Sequence, residues 1–408
     1  MYEALFLLVL ATIPIQLGKF FFLDHSYVLG IPIDYRALGI YASDIAVVMF
    51  LLTSLWHDRK KLKTIFAKYK AYIISLLIFN LYLWISAFLF STSKEASYIA
   101  NSKLLFFGAL SIFSADILKN KKIEKKAAFV LTISILWESL LLIAEFARQS
   151  SLNLQILGER AFDSSTVLIA HSQLLGRQLL RPYGTFPHPN VGAAFLVFGL
   201  ILLVPSLSLR SGNSRRSNLL PISIVSVTAF ALVVTFSKSA FVVLALCLLA
   251  LIKKFQQLIL FVAVVTVSTA ALVVQTLNFQ IASVAERLLL VQASLDIALK
   301  NPLFGVGTNN FILELSKLNL FSLSQTRLLQ PVHNIFLLIL AENGIVGLLL
   351  FTLVLFQIAR YIDTKTKTVL FLAILVYAST DHFLWTLQQG QLMFWLLVGY
   401  FLSDLKRK

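Results

Sequence analysis

Apolar residues in this chain come in long unbroken runs rather than in the short alternating patterns of a water-soluble fold. Runs of about 20 residues, the length that crosses a bilayer as a helix, stand at 4–23, 37–56, 71–91, 97–118, 127–147, 189–209, 219–236, 239–252, 256–277, 333–359, 368–384 and 386–403. The pattern predicts an all-α polytopic membrane protein of about 12 transmembrane helices, with the run at 239–252 short. The first run follows Met1-Tyr2-Glu3 without a basic segment ahead of it or a small-residue cleavage site behind it, and reads as a retained span.

Polar positions divide the connections into two kinds. HDRKKLKTIFAKYK (57–70), KNKKIEKK (119–126), RSGNSRRSN (210–218), Lys253-Lys254, RYIDTKTKT (360–368) and the C-terminal LKRK hold 22 of the 35 lysines and arginines. These are alternate connections, so the positive-inside rule puts them, and both termini, in the cytoplasm. The two longest loops, about 148–188 and 278–332, then face the exterior. No repeat or linker divides the chain, so residues 1–408 read as one membrane domain. Within the extracytoplasmic loop 278–332, residues 283–301 predict an amphipathic surface helix. Its stripe is Val284, Leu288, Val291, Leu295 and Leu299, with Asp296 and Lys300 as an i,i+4 pair.

Composition supports lipid as the main solvent. The chain is 58% hydrophobic and 13% charged, about half the charge of a soluble domain. The net charge of +16 is distributed between apolar segments, which points to membrane lipids and away from nucleic acid. A single cysteine, Cys247, excludes an internal disulfide and a cysteine cluster. The six histidines form no HExxH-type pair, so no metal or other cofactor is expected.

Candidate chemistry gathers where outer loops meet the membrane. In RPYGTFPHPNVG (181–192), Pro187 and Pro189 precede a helix start, Asn190 is placed to cap it, and its free amides with Arg181 suit an anion; a capped turn with a snorkelling arginine is the alternative. In Ser237-Lys238-Ser239 an outer hairpin carries a cation. Glu286-Arg287 on the surface helix leads into NPLFGVGTNNF (301–311), where a lone GxG is weak evidence for phosphate. In PVHNIFLLILAENGIVG (331–347), His333 and Asn334 start a span, and Glu342 lies about two and a half turns deeper, where an ionisable group marks function by default. The structural alternatives are a helix-capping His333 and a Glu342 bonded to a neighbouring span. Asp381-His382 near the outer end of a later span is a further acid–imidazole pair, more often structural. Cations and an imidazole at one interface suit a lipid-linked phosphate, since guanidinium forks hold its oxygens and neutral histidine takes a proton.

Four stretches in order resemble the O-antigen ligase and O-antigen polymerase family. They are Arg181 to Gly192 containing GTFPHPN, TFSKS at 235–239, ERLLLVQASLDIALKNPLFGVGTNNF at 286–311, and HNIFLLILAENGIVGLLLF at 333–351. The resemblance covers a catalytic block of about 181–360; the N-terminal third matches only in hydropathy and topology. It implies a metal-independent inverting glycosyltransferase of the bacterial inner membrane. The donor would be an undecaprenyl-pyrophosphate-linked glycan and the acceptor a glycan, lipid or protein hydroxyl on the outer, periplasmic face. Arg181 and Arg287 would bind the pyrophosphate and stabilise its growing charge, and His333 would act as general base, with Lys238, Asn190, Asn334 and Glu342 as further substrate-binding candidates. The hairpin usually reads Ser-Arg in the family, so Lys238 keeps the charge and loses the fork. Ligase and polymerase differ only in the acceptor; the modest outer loops favour a ligase-like label. A transporter or lipid flippase is the alternative of another class, but it would place its polar groups near the midplane.

Overall fold

The computed structural model describes residues 1–167, 169–174, 176–208, 215–251, 281–318 and 328–403. It is mainly helical, and helices stand at most of the expected runs. They are α1 (Tyr2–Ala11), α2 (Ala42–His57), α3 (Leu62–Lys68), α4 (Lys70–Leu89), α5 (Lys94–Ile117), α6 (Lys121–Arg148), α7 (Pro189–Ser208), α8 (Arg215–Val234), α9 (Lys238–Leu251), α10 (Ile281–Lys300), α11 (Phe311–Leu315), α12 (Ile335–Ala359), α13 (Lys365–Thr380), α14 (Phe383–Thr386) and α15 (Gln388–Leu402). Among the described residues α4, α5, α6 and α12 are long and apolar enough to cross a membrane. The helices α1 and α2 and the stretches 189–203 and 222–234 are apolar but shorter. The expected dozen is therefore met by four helices of full length, and the run at 256–277 lies outside the described residues.

The largest departure is at the N-terminus. The run 4–23 is helical only to Ala11, because Pro14 has no amide hydrogen and its ring opposes the carbonyl four residues back. The chain then turns into short antiparallel strands, β1 (Gly18–Phe21) with β4 (Leu38–Tyr41) and β2 (Tyr27–Val28) with β3 (Ile31–Pro32). The inner hairpin turns at Leu29 and Gly30, both at positive φ, as a two-residue hairpin loop requires. Hydropathy counted Phe20, Phe21 and Phe22 into a helix, although their backbone belongs to a ladder and its flank.

Helices pack as neighbours α4 with α5 and α12, α15 with α5, α6 with α8, and α1 with α2. Two ends result. At one, Tyr361 Oη donates to Lys68 O at 3.4 Å, the Lys119 ammonium lies 5.3 Å from the Tyr69 ring centre, and the Tyr2 and His57 rings stack. This end carries the lysine-rich connections 57–70, 119–126 and 360–368. At the other, Arg36 Nη1 donates to Asn309 O at 2.5 Å, Asn310 Nδ2 donates to Ser91 Oγ at 2.8 Å, and the Thr185 hydroxyl bonds Pro14 O. Among the described residues, the connections 57–70, 119–126 and 360–368 are thus gathered at one end and the segments around Arg36, Ser91, Thr185 and Asn309 at the other.

The run 333–359 is one span in hydropathy, but α12 is broken inside at Gly344 (φ 63°, ψ −173°), a region open essentially to glycine alone. Residues 302–307 fill the break. Ile345 N donates to Pro302 O at 2.8 Å and Gly307 N to Glu342 O at 2.7 Å, so the backbone groups freed by the break are satisfied within the protein, as a lipid-embedded chain requires. A Cβ on Gly344 would strike the Leu303 carbonyl, and one on Gly305 the Glu342 carbonyl. NPLFGVG and AENG are therefore two halves of one interlock.

A helix stands at the expected amphipathic segment as α10. Leu290, Ala293, Ile297 and Ala298 are buried, whereas Leu288, Leu295 and Leu299 of the expected stripe are exposed. The helix packs against α11 and α12, burying Leu290, Ala293 and Ile297 and turning Leu288, Leu295 and Leu299 outward.

Candidate active site

Five connections converge at the end opposite the lysine-rich loops. A hairpin, β5 (His171–Leu174) with β6 (Arg177–Leu180), is prolonged by Arg181 N donating to Ala170 O at 3.0 Å, and this fixes where the arginine leaves the sheet. Its Nε donates to Thr235 O at 2.8 Å and its Nη2 to Asn190 Oδ1 at 2.8 Å. The TFSKS hairpin thus meets Arg181 through a backbone carbonyl. A guanidinium has five N–H donors, so three are left without a partner among the described residues. Burial is the main cause that lowers the Arg181 pKa, to about 10, with Arg287 adding to it against Tyr183 and Asp381; the group stays cationic at neutral pH.

Asn190 links this arginine to an acid. It lies inside the first turn of α7, so it is not the expected cap; its side chain is a bridge, with Nδ2 donating to Asp381 Oδ2 at 3.0 Å. Its own N–H donates to His188 Nδ1 at 3.1 Å, so an imidazole satisfies one of the orphan amides of the helix start. Asp381 Oδ1 accepts from His382 N at 2.8 Å, and His382 Nδ1 shares a 2.7 Å bond with the Thr386 hydroxyl.

His333 completes the cluster from the start of α12. Its ring centre is 5.1 Å from that of His382, edge to face, and Tyr35 stands 5.5 Å from His382 on another side. The donor atoms of His333, Asp381 and His382 all lie within 4.8 Å of one another, a spacing that a metal ion can also span. His333 does not cap α12: Asn334 does, accepting from Leu337 N at 3.0 Å and donating to Ser379 O at 3.1 Å. The His333 Nδ1 is buried without a hydrogen-bond partner among the described residues. Burial lowers the His333 pKa; Asp381 opposes this and Arg287 adds to it. The ring is therefore neutral at neutral pH.

Arg287 on α10 and Lys238 at the start of α9 are both exposed. The Arg287 charge lowers the pKa values of Arg181 and His333. Glu342 lies apart from the cluster. Buried at 4% exposure, it accepts from Phe311 N at 3.2 Å and holds the 305–311 loop, not a neighbouring span. His188 and Tyr35 were missed as site residues, and Asp381 and His382 were noted only as a structural pair. The Asp381-His382 adjacency was a usable signal, whereas nothing in the sequence near Tyr35 marks it. A cavity of about 390 Å³ opens beside the cluster, touching His188, Pro331 and Thr386.

A helical bundle rich in apolar helices, with arginines, imidazoles and one carboxylate drawn together at one end, defines an integral membrane protein with a polar cluster at one end of the bundle. Residues 222–352 match the family model described as O-antigen ligase. The match supports a likeness to the O-antigen ligase family and, in general terms, a role in membrane glycan transfer. Lys238, Arg287, His333, Asn334 and Glu342 lie inside the matched stretch, and Arg181, Asn190 and Asp381 lie outside it. No curated protein matches the chain.

Proposed function

We propose that the protein is a ligase-like glycosyltransferase that moves a glycan from undecaprenyl pyrophosphate to an acceptor hydroxyl at the outer face of the cytoplasmic membrane. The observation that carries this reading is the continuous contact from Arg181 through Asn190 and Asp381 to His382 and His333. It sets a fixed cation, a carboxylate and a neutral imidazole within one small volume. His333 takes the proton of the acceptor hydroxyl as the oxygen forms its bond to the anomeric carbon, and that carbon releases the pyrophosphate. The bond pair goes to the leaving phosphate oxygen, where Arg181 and Arg287 meet the growing charge. Asp381 stabilises the imidazolium as it appears. Attack opposite the leaving group inverts the anomeric centre.

Asp381 already accepts from Asn190 and His382, and His382 Nδ1 is bonded to Thr386, which favours a proton-handling cluster over a metal site. Glu342 and Asn334 organise backbone in this reading, and Lys238 attracts phosphate as a point charge. The lysine-rich end faces the cytoplasm by the positive-inside rule. A flippase is disfavoured because the polar cluster lies at an end of the bundle; a polymerase remains the alternative, differing only in acceptor.

The test is transfer from an undecaprenyl-pyrophosphate oligosaccharide by the purified protein. His333→Ala and Arg287→Ala are expected to abolish transfer while leaving the protein inserted, and EDTA to leave the wild-type rate unchanged. Full transfer by both variants would sink the assignment, and EDTA inhibition reversed by a divalent ion would replace the proton-handling cluster with a metal.

A further inference from the structure

The cavity beside the cluster has a lining that glycan transfer as described leaves unused. Its volume of about 390 Å³ is in the range of small-molecule sites. It is enclosed by the 34–41 segment, by α5 around Ile99 to Leu104, and by the turn into α15. The last of these presents Gln388, Gln389 and Gln391, which are 5%, 2% and 8% exposed.

Gln388 is committed. Its Nε2 donates to Ser43 Oγ at 3.0 Å and to Asp44 Oδ1 at 2.6 Å, and its Oε1 accepts from Lys103 Nζ at 2.8 Å. Gln389 is not: neither its Nε2 nor its Oε1 has a partner among the described residues, and the Oε1 atoms of Gln391 and Gln16 are in the same condition. Buried amides are retained where something completes their hydrogen bonds. The unpaired set contains one amide donor and three carbonyl acceptors, beside the aromatic side chains of Phe20, Tyr41 and Trp385. Three acceptors call for a ligand that donates, and the charged side chains of the lining are of both signs, Asp34 and Glu342 beside Lys103 and Arg160, so no net cation favours a phosphate or carboxylate. The Lys103 ammonium is already engaged by Gln388 and lies 3.7 Å from Asp44. A ring bearing several hydroxyls supplies donors and acceptors together and offers C–H faces to the aromatics.

We propose that this cavity is a saccharide subsite that seats a sugar ring of the acceptor, with Gln389, Gln391 and Gln16 bonding its hydroxyls. The assignment rests on the glycan-transfer reading above. The acceptor is favoured over the donor because the cavity reaches the cluster at His188 and Thr386, whereas Arg181, Lys238 and Arg287 are absent from its lining.

The experiment uses the full chain in nanodiscs with methyl glycosides of hexoses and N-acetylhexosamines, and methyl phosphate as control, read by saturation-transfer NMR. At least one glycoside is expected to give signal and methyl phosphate none. Gln389→Leu and the cavity-filling Ala100→Trp are expected to lower that signal about tenfold, and Gln391→Leu to do so where Gln389→Leu fails to fold; His333→Ala should leave it unchanged. In transfer assays the cavity variants should raise the acceptor KM about tenfold and hold the donor KM within about twofold. Absence of glycoside binding by the wild type, or equal binding by the variants, overturns the subsite. A rise in donor KM alone overturns the acceptor assignment. Retained transfer in His333→Ala with glycoside binding lost in the cavity variants would refute the transfer chemistry and leave the subsite standing.

Discussion

Asp381→Asn isolates the electrostatic part of the cluster while keeping its shape. The carboxylate and the His333 ring are within 4.8 Å, and a full charge pair at that separation with an effective dielectric of about 20 is worth about 3 kcal/mol. Proton transfer to His333 creates this pair in the transition state, so losing it should lower kcat by about two orders of magnitude. The substitution also opposes its new amide to Asn190 Nδ2, which now donates to Asp381 at 3.0 Å. Relief by an Asn190 flip would turn a donor toward Arg181 and unseat the guanidinium. The pH profile supplies the second reading. His333 acts as a base only when unprotonated, so the rate falls as pH drops through its pKa, which burial already holds below the ordinary value of 6.5. Asp381 is the group that raises that pKa, so its neutralisation shifts the acid limb to lower pH while the plateau drops. Initial rates of purified wild type and variant between about pH 4.5 and 8 at saturating donor measure both effects. A plateau within about threefold of wild type, or an acid limb moved to higher pH, would refute the role of Asp381.

Three further outcomes are expected. Arg181→Lys keeps the charge but cannot bond Thr235 O and Asn190 Oδ1 together; losing charge-assisted bonds worth about 1.5–3 kcal/mol should cost about 10- to 100-fold in transfer rate, and wild-type activity would mean that charge alone suffices. Gly344→Ala forces a side chain into φ 63°, ψ −173° against the Leu303 carbonyl; a stability loss of about 1–3 kcal/mol or more should appear as a lower unfolding midpoint in detergent, and an unchanged midpoint would deny the interlock. With Cys247 replaced, Asn153→Cys in intact cells should react with an impermeant thiol reagent and Arg59→Cys should not, both positions being exposed; the reverse pattern would invert the topology and place His333 on the cytoplasmic side.

The sequence by itself determined the class of the molecule and much of its organisation. Runs of apolar residues require lipid as solvent, because no soluble core accommodates them, and of the lysine-rich connections that their alternation with lysine-poor ones picks out, 57–70, 119–126 and 360–368 meet at one end of the described residues. Motif order reached Arg181, Arg287 and His333 and the family whose model matches residues 222–352. Hydropathy could not tell helix from ladder in the Phe20 to Phe22 stretch, since it counts apolar side chains and is blind to backbone pairing. It read 333–359 as one span because a break at Gly344 leaves apolar content unchanged. Side-chain roles were decided by tertiary structure alone: Asn190 became a bridge, Asn334 the cap and Glu342 the holder of the 305–311 loop. Tyr35, His188, His333, Asp381 and His382 are separated by up to most of the chain, and local sequence carries no record of which distant residues will share one pocket. Their joint presence follows from helix packing, which fixes where each connection ends and thereby which side chains meet.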